Sequence, residues 1–351
     1  MTRPNDNPPP DGDARGRAHH TASGFRNPDA PPLAGFRDLL KWQLGRGPAE
    51  EPPVPPEMVN NSLPRVVAPD TAHIAAPDPE VVQLTWIGHS SFLLQMGGRT
   101  ILIDPVFSER CSPSKWIGPR RRRPPGLSMD ELPRIDIVLI SHDHYDHLDE
   151  ASIRALGSDP LYIAPLGVRD TLLAWGAIRV WELDWWMSGA HEELLFTCLP
   201  AQHFSGRTPF SRNGSLWSGW SVAHPDFHIY YAGDTGWGSF AAEIGKRLGP
   251  FDLALIPIGA YRPRWFMHPV HIDPAEAIAV HRAVGARRSI ATHWGTFPLS
   301  DEPPGEPPAY LVRERERAGL DAAEFAIMAI GETRRFPLSG TASSPDQSGP
   351  G

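Results

Sequence analysis

Cysteine is almost missing: the 351 residues contain two, Cys111 and Cys198. They allow one bridge at most, which excludes a disulfide-built scaffold and a thiolate zinc site. Long apolar runs are missing as well, since no stretch approaches the roughly 20 residues a membrane-spanning helix needs. The opening MTRPNDNPPPDGDARGR lacks the apolar core of a secretory signal, so the expected compartment is the cytoplasm. Basic charge is scarce too, with 33 Lys and Arg against 41 Asp and Glu and a formal net charge of -8. That balance excludes a general nucleic-acid binder, which needs a basic surface to neutralise phosphates. What the chain has in plenty is histidine, at fifteen, and proline, at forty.

Sixteen of those prolines fall in the first eighty residues, where no packed core can form around them. Residues 1–32 read as a disordered tail, 33–80 as an amphipathic helix followed by a Pro-rich strap, and 337–351 as a second disordered tail. Within LAGFRDLLKWQLGR, Leu33, Phe36, Leu40 and Leu44 have helical spacing, and Gly45 and Gly47 stop the helix. From Val81 to residue 336 short β-rich runs alternate with helical ones: VQLTWIG, SFLLQM, RTILID and DIVLIS, then helices, then EELLFTCLP, SLWSGWSVA and HIYYAGD. Such an alternation suits an α/β domain with two packed sheets and helices outside.

The chemistry concentrates in Ser141-His142-Asp143-His144-Tyr145-Asp146-His147, directly after the apolar strand IDIVLI. Alternation at the strand end sends His142 and His144 to one side, and the following turn returns Asp146 and His147 toward them. Imidazole and carboxylate donors without thiolate suit Zn²⁺, with Mn²⁺ or Fe²⁺ as alternatives, in an open hydrolytic site. Downstream, three more donors follow apolar strands: His203 after LLFTCLPAQ, Asp234 after HIYYAG, and His293 after RRSIAT. Alone, each reads as a turn or core-edge residue. Together with the motif they form an ordered set.

That set, with GDTGWGSFAAEIGKRLGPFDLALIPIGAYRPRWFM, VHIDPAEA, THWGTF, LIDPVFSERCSPSKWIGPRRRR and ELDWW, resembles the metallo-β-lactamase superfamily. More closely, it resembles the N-acylphosphatidylethanolamine-hydrolysing phospholipase D family, over roughly residues 33–336. The resemblance implies a four-layer αββα sandwich with two zinc ions. His142, His144 and His203 would hold one, Asp146, His147 and His293 the other, and Asp234 would bridge them. Two cations about 3.5–4 Å apart lower the pKa of a shared water and stabilise charge on a transferring phosphoryl group. Asp146 can orient that water. His271, in VHIDP, matches a family histidine placed to polarise the phosphate or assist the leaving group; otherwise it serves the start of the helix at Pro274.

Arg207 matches a family arginine near the site and is a candidate phosphate partner. Lys115 and Trp116 stand where family members carry Gln-Tyr along the substrate path, a departure bearing on head-group or acyl preference. The run Arg120 to Arg123 reads either as a hold on an anionic lipid surface at about 1 kcal/mol per charge or as a solvated loop. Trp185-Trp186 and Trp265-Phe266-Met267 read as core or as contacts for acyl chains. The 33–46 helix lies on the inner membrane face, seals an edge of the fold, or joins a homodimer. Three functions compete: a phospholipid-hydrolysing phosphodiesterase, a hydrolase of a small soluble phosphodiester or lactone, and a non-catalytic module keeping zinc for folding.

Overall fold

A computed structural model describes residues 18–59, 62–208 and 210–338. Two seven-stranded sheets face each other. The first is built from β3 (Val81–Gly88), β4 (Ser91–Met96), β5 (Arg99–Ile103), β6 (Ile137–Leu139), β7 (Leu161–Pro165) and β8 (Arg179–Leu183), with β16 (Thr333–Pro337) on its outer edge beside β3. The second runs β9 (Ser188–His191), β10 (Leu194–Leu199), β11 (Gly219–His224), β12 (Phe227–Tyr231), β13 (Leu253–Pro257), β14 (Ser289–Thr292), β15 (Phe325–Ala326). Each sheet starts antiparallel and turns parallel, at β5 in the first and at β12 in the second.

Both faces of the first sheet are covered, so its strands are nearly continuous apolar runs whose period of two sorts side chains between two cores. Phe92, Leu94, Ile101, Ile103, Ile137 and Leu139 point into the space between the sheets. Their neighbours Leu93, Leu102, Val138 and Ile140 point outward, where Ile153 of α3 (Glu150–Leu156) and Leu172 of α4 (Arg169–Ala174) cover them. On the far side α7 (Pro274–Ala283) lies on β13 and contacts α5 (Phe240–Leu248) and α8 (Glu306–Ala318). The result is a four-layer αββα sandwich.

The N-terminal region departs from expectation. Residues 1–17 lie outside the described residues, but 18–32 are ordered: β1 (His20–Thr21) pairs with β2 (Gly24–Phe25), and Asn27 reaches the core by donating from Nδ2 to the His203 carbonyl, 2.7 Å away. A hydrogen-bonded seat on the domain replaces the apolar content that the composition lacks. At the other end, Pro337 belongs to β16 and Leu338 is buried, while 339–351 lie outside the described residues. The expected helix spans α1 (Phe36–Gln43), with Leu40 and the following Leu44 exposed. Among the described residues no helix is long and apolar enough to cross a membrane.

Candidate metal centre

Strand ends from both sheets meet at one edge of the sandwich. The β6 end delivers residues 141–147, held down by Asp149, which caps α3 through the Ser152 amide. The β10–β11 connection brings His203, the β12 end Asp234 and the β14 end His293. Glycine is required at 233: its φ is +61°, and an added Cβ would lie 2.6 Å from the Ser218 carbonyl oxygen.

All seven expected ligands converge. His142 Nε2 and His203 Nε2 lie 2.9 and 3.2 Å from His144 Nδ1. Asp234 Oδ2 is central, at 3.0 Å from His293 Nε2, 3.2 Å from His147 Nε2, 3.8 Å from His203 Nε2 and 4.0 Å from His142 Nε2. Asp146 Oδ2 is 3.3 Å from His293 Nε2 and 3.5 Å from His147 Nε2. Despite these distances, the buried atoms His147 Nε2, His293 Nε2 and Asp234 Oδ1 form no hydrogen bond. Buried polar atoms left this way are costly. Imidazoles and carboxylates gathered this closely are the donor set that holds a cation, so the residues fit a metal.

Outer partners fix the rings. His203 Nδ1 is held by the Val270 carbonyl at 3.0 Å and His147 Nδ1 by Asp104 Oδ2 at 2.7 Å, leaving each Nε2 for the centre. Asp104 also accepts from the Ser141 amide and the Tyr231 hydroxyl. His89, fully enclosed, places Nε2 2.9 Å from Asp146 Oδ2 and its ring 4.1 Å from that of His293. His89, Asp104 and His293 all have positive φ, a strained conformation for side-chain-bearing residues that persists where the surroundings over-determine it. His89 and Asp104 are absent from the sequence-derived set. Both follow apolar strands, TWIG and RTILI, the same signal that marks His203, Asp234 and His293.

Electrostatics sorts the residues. Burial, then the crowding of His147, His144 and His203, pushes the His142 imidazole well below its ordinary value. Burial pushes His144 down to about 4, and His203 and His271 to about 3. These rings are neutral at pH 7, the form that donates a lone pair to a metal. Burial works against ionised Asp146 and Asp234, yet His147 overcomes it and holds both carboxyls well below the usual range. Burial would also keep His147 and His293 neutral, but Asp234 and Asp146 win, raising His147 well above its ordinary value and His293 to about 9.

His271 sits beside the cluster, its ring 5.1 Å from that of His203 and 5.3 Å from that of His293, with Nδ1 buried and unbonded. It does not serve the following helix, because Asp273 caps α7 through the Glu276 amide. Instead it lines a groove of about 520 Å³, together with Leu33, Leu39, Trp42, Phe204, Phe266 and Val270.

The other expected substrate contacts have the following surroundings. Arg207 Nη1 donates to the carbonyls of Asp143 and Leu148, both at 2.7 Å, and the guanidinium lies 3.9 Å over the Tyr145 ring. It braces the metal loop from behind in place of gripping a phosphate. Arg207→Ala should therefore lower stability by about 2 kcal/mol and weaken metal retention, with KM for a phosphodiester little changed; thermal denaturation and steady-state kinetics check this. Lys115 and Trp116 lie on a surface loop, Trp116 being 84% exposed. Among Arg120–Arg123, Arg121 is turned inward to the carbonyls of Ser108 and Val106 and Arg120 pairs with Glu109, so the run is not four free charges. Trp185 is core, donating to the Trp217 carbonyl, whereas Phe266 and Met267 belong to the groove.

A four-layer sandwich carrying a His and Asp centre at its strand ends defines a metal-dependent hydrolase of the metallo-β-lactamase fold. Residues 99–294 match the family model described as Beta-lactamase superfamily domain, and the chain belongs to that superfamily. It is 36% identical over 324 residues to the N-acyl-phosphatidylethanolamine-hydrolyzing phospholipase D 1 of Caenorhabditis elegans, covering 88% of each chain. An uncharacterized protein of Mycobacterium bovis is 41% identical over 286 residues, 79% of this chain and 73% of its own. Among solved structures, an isothiocyanate hydrolase from Delia radicum gut bacteria has the same fold, with a TM-score of 0.60 at 22% identity over 73% of this chain and 99% of that one.

Proposed function

We propose that the protein is a binuclear zinc phosphodiesterase of phospholipase D type, which hydrolyses N-acylphosphatidylethanolamine-like lipids to an N-acylethanolamine and phosphatidic acid. The observation carrying this reading is the apolar groove lined by both α1 and His271, the latter beside the ligand cluster. A small soluble phosphodiester or a lactone has no use for such a wall, whereas an acyl chain gains roughly 0.8 kcal/mol per buried CH₂. The name of the Caenorhabditis elegans relative points the same way.

His142, His144 and His203 would hold one zinc, Asp146, His147 and His293 the second, with Asp234 shared. Bound there, the ions supply Lewis acidity toward phosphoryl oxygens and an activated water. The chain's own residues do the rest. Ionised Asp146 accepts a hydrogen bond from the attacking water and orients it toward phosphorus. Neutral His271 can donate an N–H to a phosphoryl oxygen or to the departing ethanolamine oxygen. Water's oxygen joins phosphorus, the bond from phosphorus to that ethanolamine oxygen breaks, and one water proton ends on the leaving group. Exposed Leu40 and Leu44, in and just after the helix that lines the groove through Leu39 and Trp42, would meet the lipid surface.

Hydrolysis in ¹⁸O-water tests the reading. Label should enter phosphatidic acid and be missing from the N-acylethanolamine. Leu39→Asp, in the groove wall, should raise KM for long-chain lipid about tenfold and leave a short-chain analogue unaffected. Label in a fatty acid, or lactone cleavage without phosphodiester turnover, would replace this function with the soluble-substrate one.

A further inference from the structure

A second cluster of ligand type lies away from the centre just described. His19 Nε2 is 2.6 Å from Asp184 Oδ1, and His20 Nε2 is 2.8 Å from Asp184 Oδ2, so two imidazoles from the N-terminal hairpin converge on one carboxylate between β8 and β9. The three donor atoms lie within 4.8 Å of one another. We propose that His19, His20 and Asp184 form a further divalent metal site, of zinc type, that fastens the N-terminal hairpin to the sandwich.

The donor set is right: two imidazoles and a carboxylate are a common zinc set, leaving a position for water. The orientation is also prepared. His19 is buried with its ring stacked 4.2 Å from that of Trp185 and 6.3 Å from that of Phe25, which restrains where Nε2 points. Asp184 is only 17% exposed and also accepts from the Trp185 amide, so the carboxylate is held in place before any cation arrives. A cavity of about 270 Å³, lined by His19 with Asn27, Asp29, Trp185 and Gln202, brings solvent to the His19 side of the cluster. His20, at 36% exposure, leaves the site open to exchange.

The hairpin would gain from such a fastening beyond its hydrogen bonds to the domain. Its strands are two residues each, and a two-stranded unit of that size does not stay folded by itself. Small elements without a core of their own gain their order from a cross-link or a metal. What the fastening secures is useful: beyond the hairpin, Asn27 joins the His203 carbonyl to the Trp217 indole, and the Phe25 amide donates to the Asn213 carbonyl in the loop following His203. A cation at His19 and His20 would thus steady the backbone behind one ligand of the main centre without entering it. The inference is independent of the reaction proposed above.

The test is a zinc titration of the full-length, metal-stripped protein, read by native mass spectrometry and by proteolysis of the hairpin. Wild type should bind one equivalent more than His20→Gln, whatever the main centre holds. Zinc should protect the hairpin from cleavage in wild type and not in that variant. His20→Asp, which restores a ligand, should recover the extra equivalent, and His73→Gln, which disturbs the exposed His73 and Asp70 pair, should bind as wild type does. Equal zinc content in wild type and His20→Gln, with hairpin cleavage indifferent to zinc, would overturn the site and leave a hydrogen-bonded latch. Circular dichroism establishes that the variants fold; should His20→Gln not fold, zinc-independent cleavage of the wild-type hairpin overturns the proposal by itself.

Discussion

Asp234→Asn should strip the protein of both metal equivalents together and lower hydrolysis on the order of 10³-fold or more. The expectation rests on one atom. Asp234 Oδ2 is within 3.2 Å of His147 and His293 and within 4.0 Å of His142 and His203, so it faces both halves of the cluster. An amide keeps the shape but removes the negative charge that would offset the two proposed cations, and it can present an N–H where a lone pair would be needed. The effect should therefore be cooperative, unlike that of His203→Gln, which should weaken one equivalent first. Metal content after equilibrium dialysis, measured beside turnover, checks this. Loss of a single equivalent from Asp234→Asn would show that the carboxylate serves one ion alone.

His271→Ala should keep both equivalents and lose about 10²-fold in kcat, with KM nearly constant. His271 stands at the junction of groove and cluster, and burial pushes its pKa down to about 3, so it is neutral through the physiological range and works as a hydrogen-bond donor without carrying charge. Its Nδ1 has no partner among the described residues. A role toward substrate predicts that His271→Gln, which still donates, recovers part of the rate. The competing role is also concrete, since His203, Asp234 and His271 lie close enough to share a cation. Loss of metal in His271→Ala would assign it to that role.

Much of the site was legible because its donors obey a local rule: a polar residue immediately after an apolar strand stands at a sheet edge. Ser141 to His147, His203, Asp234 and His293 all follow it, and the structure brings them together. His89 and Asp104 follow it as well, but they lie N-terminal to the histidine motif, and their part in the centre depends on backbone with positive φ that residue type does not announce. The inward engagement of Arg207 and Arg121 was not legible for a different reason. A charged side chain reads as a surface or ligand group, yet each is satisfied by carbonyls inside the fold, a tertiary fact that spacing does not encode. The four-layer fold itself followed from family resemblance, since the alternation of strands and helices suits two packed sheets with helices outside without specifying their order. Strands β7, β8 and β9 escaped notice because LYIAP, RVWEL and SGAH are short and two carry charge or glycine; pairing within a sheet makes them strands.

Because the ligands come from the ends of strands in both sheets, a bound cation is a rivet through the sandwich. The apolar interior holds the two layers face to face but is non-directional, so small sliding of one across the other costs it little. Coordination is directional and tolerates misplacement of only a few tenths of an ångström. Registry between the layers is therefore written most sharply at the metal edge. A mild repacking far inside, such as Ile229→Val, should surface first as faster metal loss, ahead of any clear fall in melting temperature. Metal retention thus serves as a gauge of how well the whole sandwich is aligned.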